Sequence, residues 1–175
     1  MLREIATAII VCVSAEVLIA RGPDQSTPRQ APTATVATST QEIDKDVWSV
    51  IIQTVAADDI VRMGDVYFPD AIVVGPRGTK PIKETLERWG RDMVAAKAKG
   101  NRATVEFRFA QRQDDQTTAY ESGIFKYTVI DKAGKSSSTF TPFQQLLAKT
   151  NGRWRVLMER QLSAVTQVAW DGLPK

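Results

Sequence analysis

The stretch YFPDAIVVGPRG, residues 67–78, decides how the fold is read. Its Pro-Asp pair predicts a turn, the AIVV that follows a short apolar strand over 71–74, and Gly75-Pro76 a second turn. Ahead of it a short helix is expected from about Ile60 to Tyr67, stopped by Pro69, because the residue before a proline is pushed out of the helical region. Further upstream Ser39-Thr40-Gln41-Glu42 has the form of a capping box. Ile43, Val47, Val50, Ile51 and Val55 then recur at helical spacing as far as Asp58-Asp59. Downstream, Pro81 suits the first turn of a third helix, whose apolar face is Ile82, Leu86, Trp89, Met93 and Ala96. Gly100-Asn101 ends it.

Past residue 101 the period changes to two. In RATVEFRFAQR, Val105, Phe107 and Phe109 share one face, with Glu106 and Arg108 on the other. Further strands are expected over 117–130, 137–149 and 154–163, the last pair joined by Asn151-Gly152, a strong hairpin signal. Three helices gathered before an antiparallel meander predict an α+β fold, with a curved sheet packed on the helices.

A chain of 175 residues with 43% hydrophobic and 25% charged residues is an ordinary globular length and composition. The net charge is only +3 and the basic residues are dispersed, so no nucleic-acid partner is expected. There is no histidine, and the single cysteine, Cys12, lies in an N-terminal apolar run. Histidine-based triads, cysteine nucleophiles and nearly every zinc site are thereby excluded, and no metal or cofactor is expected. Any acid-base chemistry must use Asp, Glu, Tyr or Lys.

Residues 1–20 read as a signal peptide or membrane anchor: an apolar run interrupted by Glu16, with VSA and Ala20 offering two cleavage points. A cytosolic helix is the third reading of the same residues. Residues 21–40, rich in Pro, Thr, Ser, Ala and Gln, read as a disordered linker, because they carry too little apolar surface to offset the entropy of ordering. The folded domain is expected over 41–166, with 167–175 a C-terminal tail. The expected location is periplasmic or secreted, or membrane-tethered through the N-terminal segment if it is uncleaved.

AADDIVRMGDVYFPDAIVVGPRG, the helix carrying Trp89, the strand ESGIFKYTV and the closing LLAKTNGRWRVL together resemble the nuclear transport factor 2-like superfamily. Within it the similarity is greatest to polyketide-cyclase-like (SnoaL-like) small bacterial domains. The resemblance spans roughly residues 42–163. It implies a cone: a bent antiparallel sheet closed by three N-terminal helices, with a pocket at one end and a homodimer through the outer sheet face. Ketosteroid isomerase, an enzyme of this fold, implies an Asp base just before the proline after the first strand, and a Tyr in the first helix. Those positions fall here on Gly75 and Ile51, which cannot transfer a proton.

A second constellation is available. Strand parity puts Glu121 with Phe125, Tyr127 and Val129, and Arg160 with Trp154, Val156 and Met158. Inside the cone the two charges would have to pair, which makes Glu121, tuned by Arg160, a candidate acid-base or ligand-anchoring group. A bulge at Gly123 would instead turn Glu121 to the surface, and a purely structural ion pair is a further alternative. The expected ligand pocket is Tyr67, Trp89, Phe107, Phe125, Tyr127, Phe143, Met158 and Arg160, against the plainer reading of the same aromatics as core. The first functional expectation is an exported or tethered domain that binds a small apolar molecule or a protein partner without catalysis. Its rival is an enzyme of polyketide-cyclase or isomerase type, acting on a hydrophobic carbonyl compound through a Glu or Tyr proton carrier.

Overall fold

A computed structural model describes residues 38–175. The leader and the linker as far as residue 37 lie outside the described residues. The first helical rod is built from α1 (Ser39–Ile43), a π-helical segment (Asp44–Trp48) and α2 (Ser49–Ala57), with helical backbone angles at both junctions. Its cap is Thr38, one residue earlier than the sequence suggests. The Thr38 hydroxyl accepts from the Gln41 N–H and the Gln41 side chain accepts from the Thr38 N–H, so the box is Thr38 with Gln41. Residues 38–40, assigned above to the linker, therefore belong to the folded part. In the π segment the Ser49 N–H reaches back to the Asp44 carbonyl. That wider turn gives the rod a broad inner face on which adjacent Val47 and Trp48 are both buried, beside Ile43, Val50, Ile51 and Val55.

Asp58 ends the rod in the left-handed conformation (φ 56°), and Asp59 caps the next helix by accepting from the Arg62 N–H at 3.0 Å. That helix, α3 (Ile60–Gly64), is shorter than predicted. Strand β1 (Tyr67–Gly75) begins where the helix was expected to end, and Pro69-Asp70 lies inside it. The reason is a register shift between Tyr67 and Ile72, an irregular stretch in which a proline without an N–H breaks no ladder bond. The second turn is a two-residue hairpin into β2 (Gly78–Pro81), a strand the sequence did not reveal. Helix α4 (Ile82–Ala98) follows, with Ile82 and Thr85 buried and Leu86, Trp89 and Met93 half-buried.

Strands β3 (Arg102–Asp114), β4 (Thr118–Ile130), β5 (Ser136–Thr150) and β6 (Arg153–Gln161) form the expected antiparallel meander. The sheet order is β2-β1-β6-β5-β4-β3, and β1 runs parallel to β6, so the six-stranded sheet is mixed. Asn151 (φ 54°) and Gly152 (φ 74°) both take positive φ, the backbone that a tight β5–β6 hairpin demands. Trp154 on β6 is fully buried; its indole N–H donates to Glu42 at 3.1 Å, and its backbone N–H donates to Asp46 at 3.1 Å. These bonds tie the rod's first turns to the last strand.

The β3–β4 turn is held by Asp115. Its carboxylate accepts from the Thr117 and Thr118 N–H groups at 2.6 and 2.7 Å and from both hydroxyls. The two backbone donors, then the hydroxyls, lower its pKa from 3.8 to about 2. A depressed carboxylate contributes its stability in full above the ordinary value near 3.8 and loses it as pH falls through about 2. An NMR titration of the Asp115 side chain should therefore show a midpoint near 2, and an ordinary midpoint would mean that the turn is not held in this way.

The expected C-terminal tail, 167–175, instead carries a short helix, α5 (Gln167–Asp171), on the sheet face opposite the helical rod. Val165 pairs with Phe140, and Trp170 is buried 6.0 Å from the Phe140 ring, under the Arg108 guanidinium at 4.5 Å. Arg108 also donates to the Trp170 carbonyl at 2.9 Å. Among the described residues no helix is long and apolar enough to cross a membrane.

Candidate functional site

Two polar clusters occupy the concave side of the sheet, and they differ in what surrounds them. The first is closed. Glu121 on β4 is only 1% exposed; it accepts from the Trp48 indole N–H at 2.6 Å and from Arg112 Nε at 2.6 Å. Arg112 reaches on to Asp44 at 2.6 Å and lies over the Phe109 ring at 4.1 Å. Trp48 packs on Phe107, Phe109 and Phe143 with centroids 4.6 to 5.3 Å apart, which seals the ion pair from one side. Burial pushes the Glu121 carboxyl above its ordinary range, outweighing the hydrogen bond and charge of Arg112 and the Trp48 N–H.

Glu121 thus points inward, but its partner is Arg112 rather than Arg160, and it is not among the residues lining the cavity. The bulge of this strand pair falls on β3, between Phe109 and Gln111, so the parity of β4 is unbroken from Ala119 to Tyr127. At that point Gly123 lies against the β3 backbone: a Cβ placed on it would come within 2.1 Å of the Arg108 carbonyl oxygen.

The second cluster lines an open cavity of ≈ 330 Å³ between the sheet, α2 and α4. Its apolar wall is Ile51, Val55, Met63, Trp89, Met93, Val105, Phe107, Phe125 and Phe143. Tyr67, Tyr127, Asp92, Gln145, Glu159 and Gln161 supply the polar groups. Of the residues expected from sequence, Tyr67, Trp89, Phe107, Phe125, Tyr127 and Phe143 lie on this cavity. Met158 and Arg160 do not. Leu146 pairs with Met158 and Leu147 with Val156, so Leu157 is left over as a β-bulge and the parity of β6 reverses across it. Trp154 and Val156 face in before the bulge, Glu159 and Gln161 after it; Arg160 is exposed and contacts Gln144 at 3.5 Å. Ile51 lines the cavity, whereas Gly75 pairs with Gly78 at the end of β1 and is not on its wall.

Glu159 is the residue that sequence reasoning missed. It is 5% exposed and accepts from the Tyr67 hydroxyl at 2.7 Å, the Gln145 amide at 3.0 Å and the Gln161 amide at 2.6 Å. Burial first, and then the adjacent Glu159, push the Tyr67 phenol well above its ordinary value, so it keeps its proton and donates. Burial, with Asp58 and Asp92 nearby, also raises Tyr127. The Gln145 amide nitrogen must face Glu159, since a carboxylate only accepts; that leaves Gln145 Oε1 buried without a donor. One signal for Gln145 was available, because it shares parity with Phe143 and Leu147 on β5. The run Val156-Leu157-Met158, apolar throughout, carried none for the bulge. Among the described residues no group of three or more His, Cys, Asp or Glu side chains is disposed to hold a metal.

No protein-family model matches the sequence, and no curated protein is significantly similar to it. Solved structures are similar in fold. A nuclear transport factor 2-like superfamily protein from Salmonella enterica is 20% identical at a TM-score of 0.58, over 74% of this chain and 94% of that one. A nuclear transport factor 2-like protein of unknown function from Shewanella oneidensis is 13% identical at a TM-score of 0.58, over 72% and 100%. A ketosteroid isomerase-like protein from Erwinia carotovora is 15% identical at a TM-score of 0.50, over 71% and 98%. With its helices set against a curved, mixed six-stranded sheet, the chain has the nuclear transport factor 2-like fold.

Proposed function

We propose that this domain binds a small, mostly apolar ligand in the cavity bounded by α2, α4 and the concave sheet face, and that its N-terminal segment exports it or tethers it to a membrane. The observation that carries the binding reading is the cavity itself: about 330 Å³ left open among aromatic and aliphatic side chains, with a few polar groups converging on it. A cone serving only as a scaffold would fill this space with side chains, as the Trp48–Phe143 end does. The reading is tested with a neutral fluorescent probe such as N-phenylnaphthylamine. One probe is expected to bind per chain. Met93→Trp, which adds bulk from α4, should weaken binding by roughly tenfold while the circular dichroism is retained. A probe that binds the variant as well as the wild type would count against the cavity.

A second reading is favoured by one contact, the Tyr67 hydroxyl 2.7 Å from Glu159. A proton acceptor beside a neutral phenol, both on an apolar cavity, is a pairing that could remove a proton next to a carbonyl and stabilise the resulting enolate. On this rival reading, an enzyme of polyketide-cyclase or isomerase type, the proton carrier is Glu159 rather than Glu121. Its test is deuterium exchange at the α-carbon of a hydrophobic ketone. Exchange catalysed by the wild type and lost in Glu159→Gln supports the enzyme; exchange at the solvent rate in both leaves the binding domain.

A further inference from the structure

The cavity's charge is one-sided. Among the described residues no lysine or arginine lines it, while Glu159 and Asp92 do. Asp92 has a cation one turn away on α4, Arg88 at 3.9 Å, and both are exposed. Glu159 has none among the described residues: its side-chain partners there are the Tyr67 phenol and the amides of Gln145 and Gln161, all neutral, and it is only 5% exposed. A buried carboxylate that is hydrogen-bonded but lacks a countercharge is costly, and a cation brought to it recovers part of that cost. Beside it a second acceptor is idle, since Gln145 Oε1 is buried with no donor among the described residues while Gln145 lies on the same cavity. The remaining wall offers the rings of Trp89, Phe107, Phe125 and Tyr127, and aromatic faces attract cations. Acceptors without donors, negative charge without positive, and aromatic rings around them select one head group.

We infer that the ligand is an organic ammonium, a positively charged N–H donor on an apolar, ring-sized body, with its nitrogen held by Glu159 and Gln145 and its body among the aromatic side chains. The inference rests on the ligand-binding reading above and narrows it. An anionic ligand is disfavoured by the same carboxylate, and a neutral one leaves Glu159 without a countercharge.

The test uses three molecules with one skeleton and different heads, naphthylmethylammonium, naphthylmethanol and naphthoate, titrated calorimetrically into the full chain at neutral pH. The ammonium is expected to bind about tenfold more tightly than the alcohol, and the naphthoate more weakly than either. In Glu159→Gln, which keeps the shape and one acceptor oxygen but removes the charge, the ammonium and the alcohol should bind within about threefold of one another. Equal binding of ammonium and alcohol by the wild type, or tightest binding of naphthoate, overturns the ammonium assignment and leaves the cavity a binding site. Binding of none of the three overturns both. A preference for the ammonium that persists in Glu159→Gln overturns the role of Glu159. The wild-type series decides the ligand's charge even if that variant does not fold.

Discussion

Gly123→Ala is expected to abolish stable folding, with a loss of roughly 4 kcal/mol or more. The added methyl would lie 2.1 Å from the Arg108 carbonyl oxygen and 3.0 Å from the Phe109 Cα. Both are backbone atoms of a paired strand, so no side-chain rotation relieves the overlap. Relief would require β3 and β4 to part beside the register shift between Phe109 and Gln111. Gly75→Ala is the matched comparison: nothing lies within 4 Å of its added methyl, and its φ is not in the left-handed region. It should be neutral, or stabilising by about 0.5 kcal/mol through the unfolded chain. Chemical denaturation of both variants reads the difference directly. A Gly123→Ala protein as stable as Gly75→Ala would show that the two strands do not approach so closely.

The second large effect is expected at Arg112. Arg112→Met removes the only cation on Glu121 among the described residues and leaves a carboxyl that is 1% exposed with the Trp48 N–H alone. Breaking a buried pair in this way costs about 3–5 kcal/mol, because the remaining charge is stranded. The double variant Arg112→Met/Glu121→Gln should recover most of that loss, as it removes the stranded charge as well. The pH dependence has a definite sign. The folded value of Glu121 lies above its unfolded value near 4.5, so its contribution is present in full below 4.5 and is lost as pH rises through the folded value. Arg112→Met takes away the favourable charge that partly offsets burial. That variant should therefore lose more stability than the wild type as pH rises from 4.5 toward neutrality, and the double variant should lose the excess. Equal pH slopes for Arg112→Met and the wild type would show that Glu121 does not depend on this cation.

What the sequence made legible follows how regular each element is. The face of α4 and the α+β order rest on unbroken periods of 3.6 and 2, and the Asn-Gly hairpin rests on the positive φ of its two turn residues. Six cavity residues were likewise readable, since β3 and β4 keep their alternation through Phe107, Phe125 and Tyr127. The misreadings sit where one residue is inserted into a repeat. The π segment turned Trp48 inward beside Val47, where the pattern had credited Val47 alone. The bulge in β3 brought Arg112 opposite Glu121, so the ion pair was assigned to the wrong arginine. The bulge at Leu157 exchanged Met158 and Arg160 for Glu159 and Gln161. Hydrophobic pattern cannot mark such insertions when apolar residues flank them, as Val156 and Met158 flank Leu157.

The Leu157 bulge bears on how this chain is compared with others. Residues 158–161 spell Met-Glu-Arg-Gln, so neighbouring positions carry opposite charges and only the backbone decides which one meets the cavity. A relative with one residue fewer after Val156 would present the same inner side chains without any bulge. An alignment that places the gap elsewhere would match its inner residues to the outer residues of this chain. For proteins of this shape the charge of the pocket is therefore a matter of register, and a column of glutamates or arginines near the end of the last strand means little until the extra residue has been located.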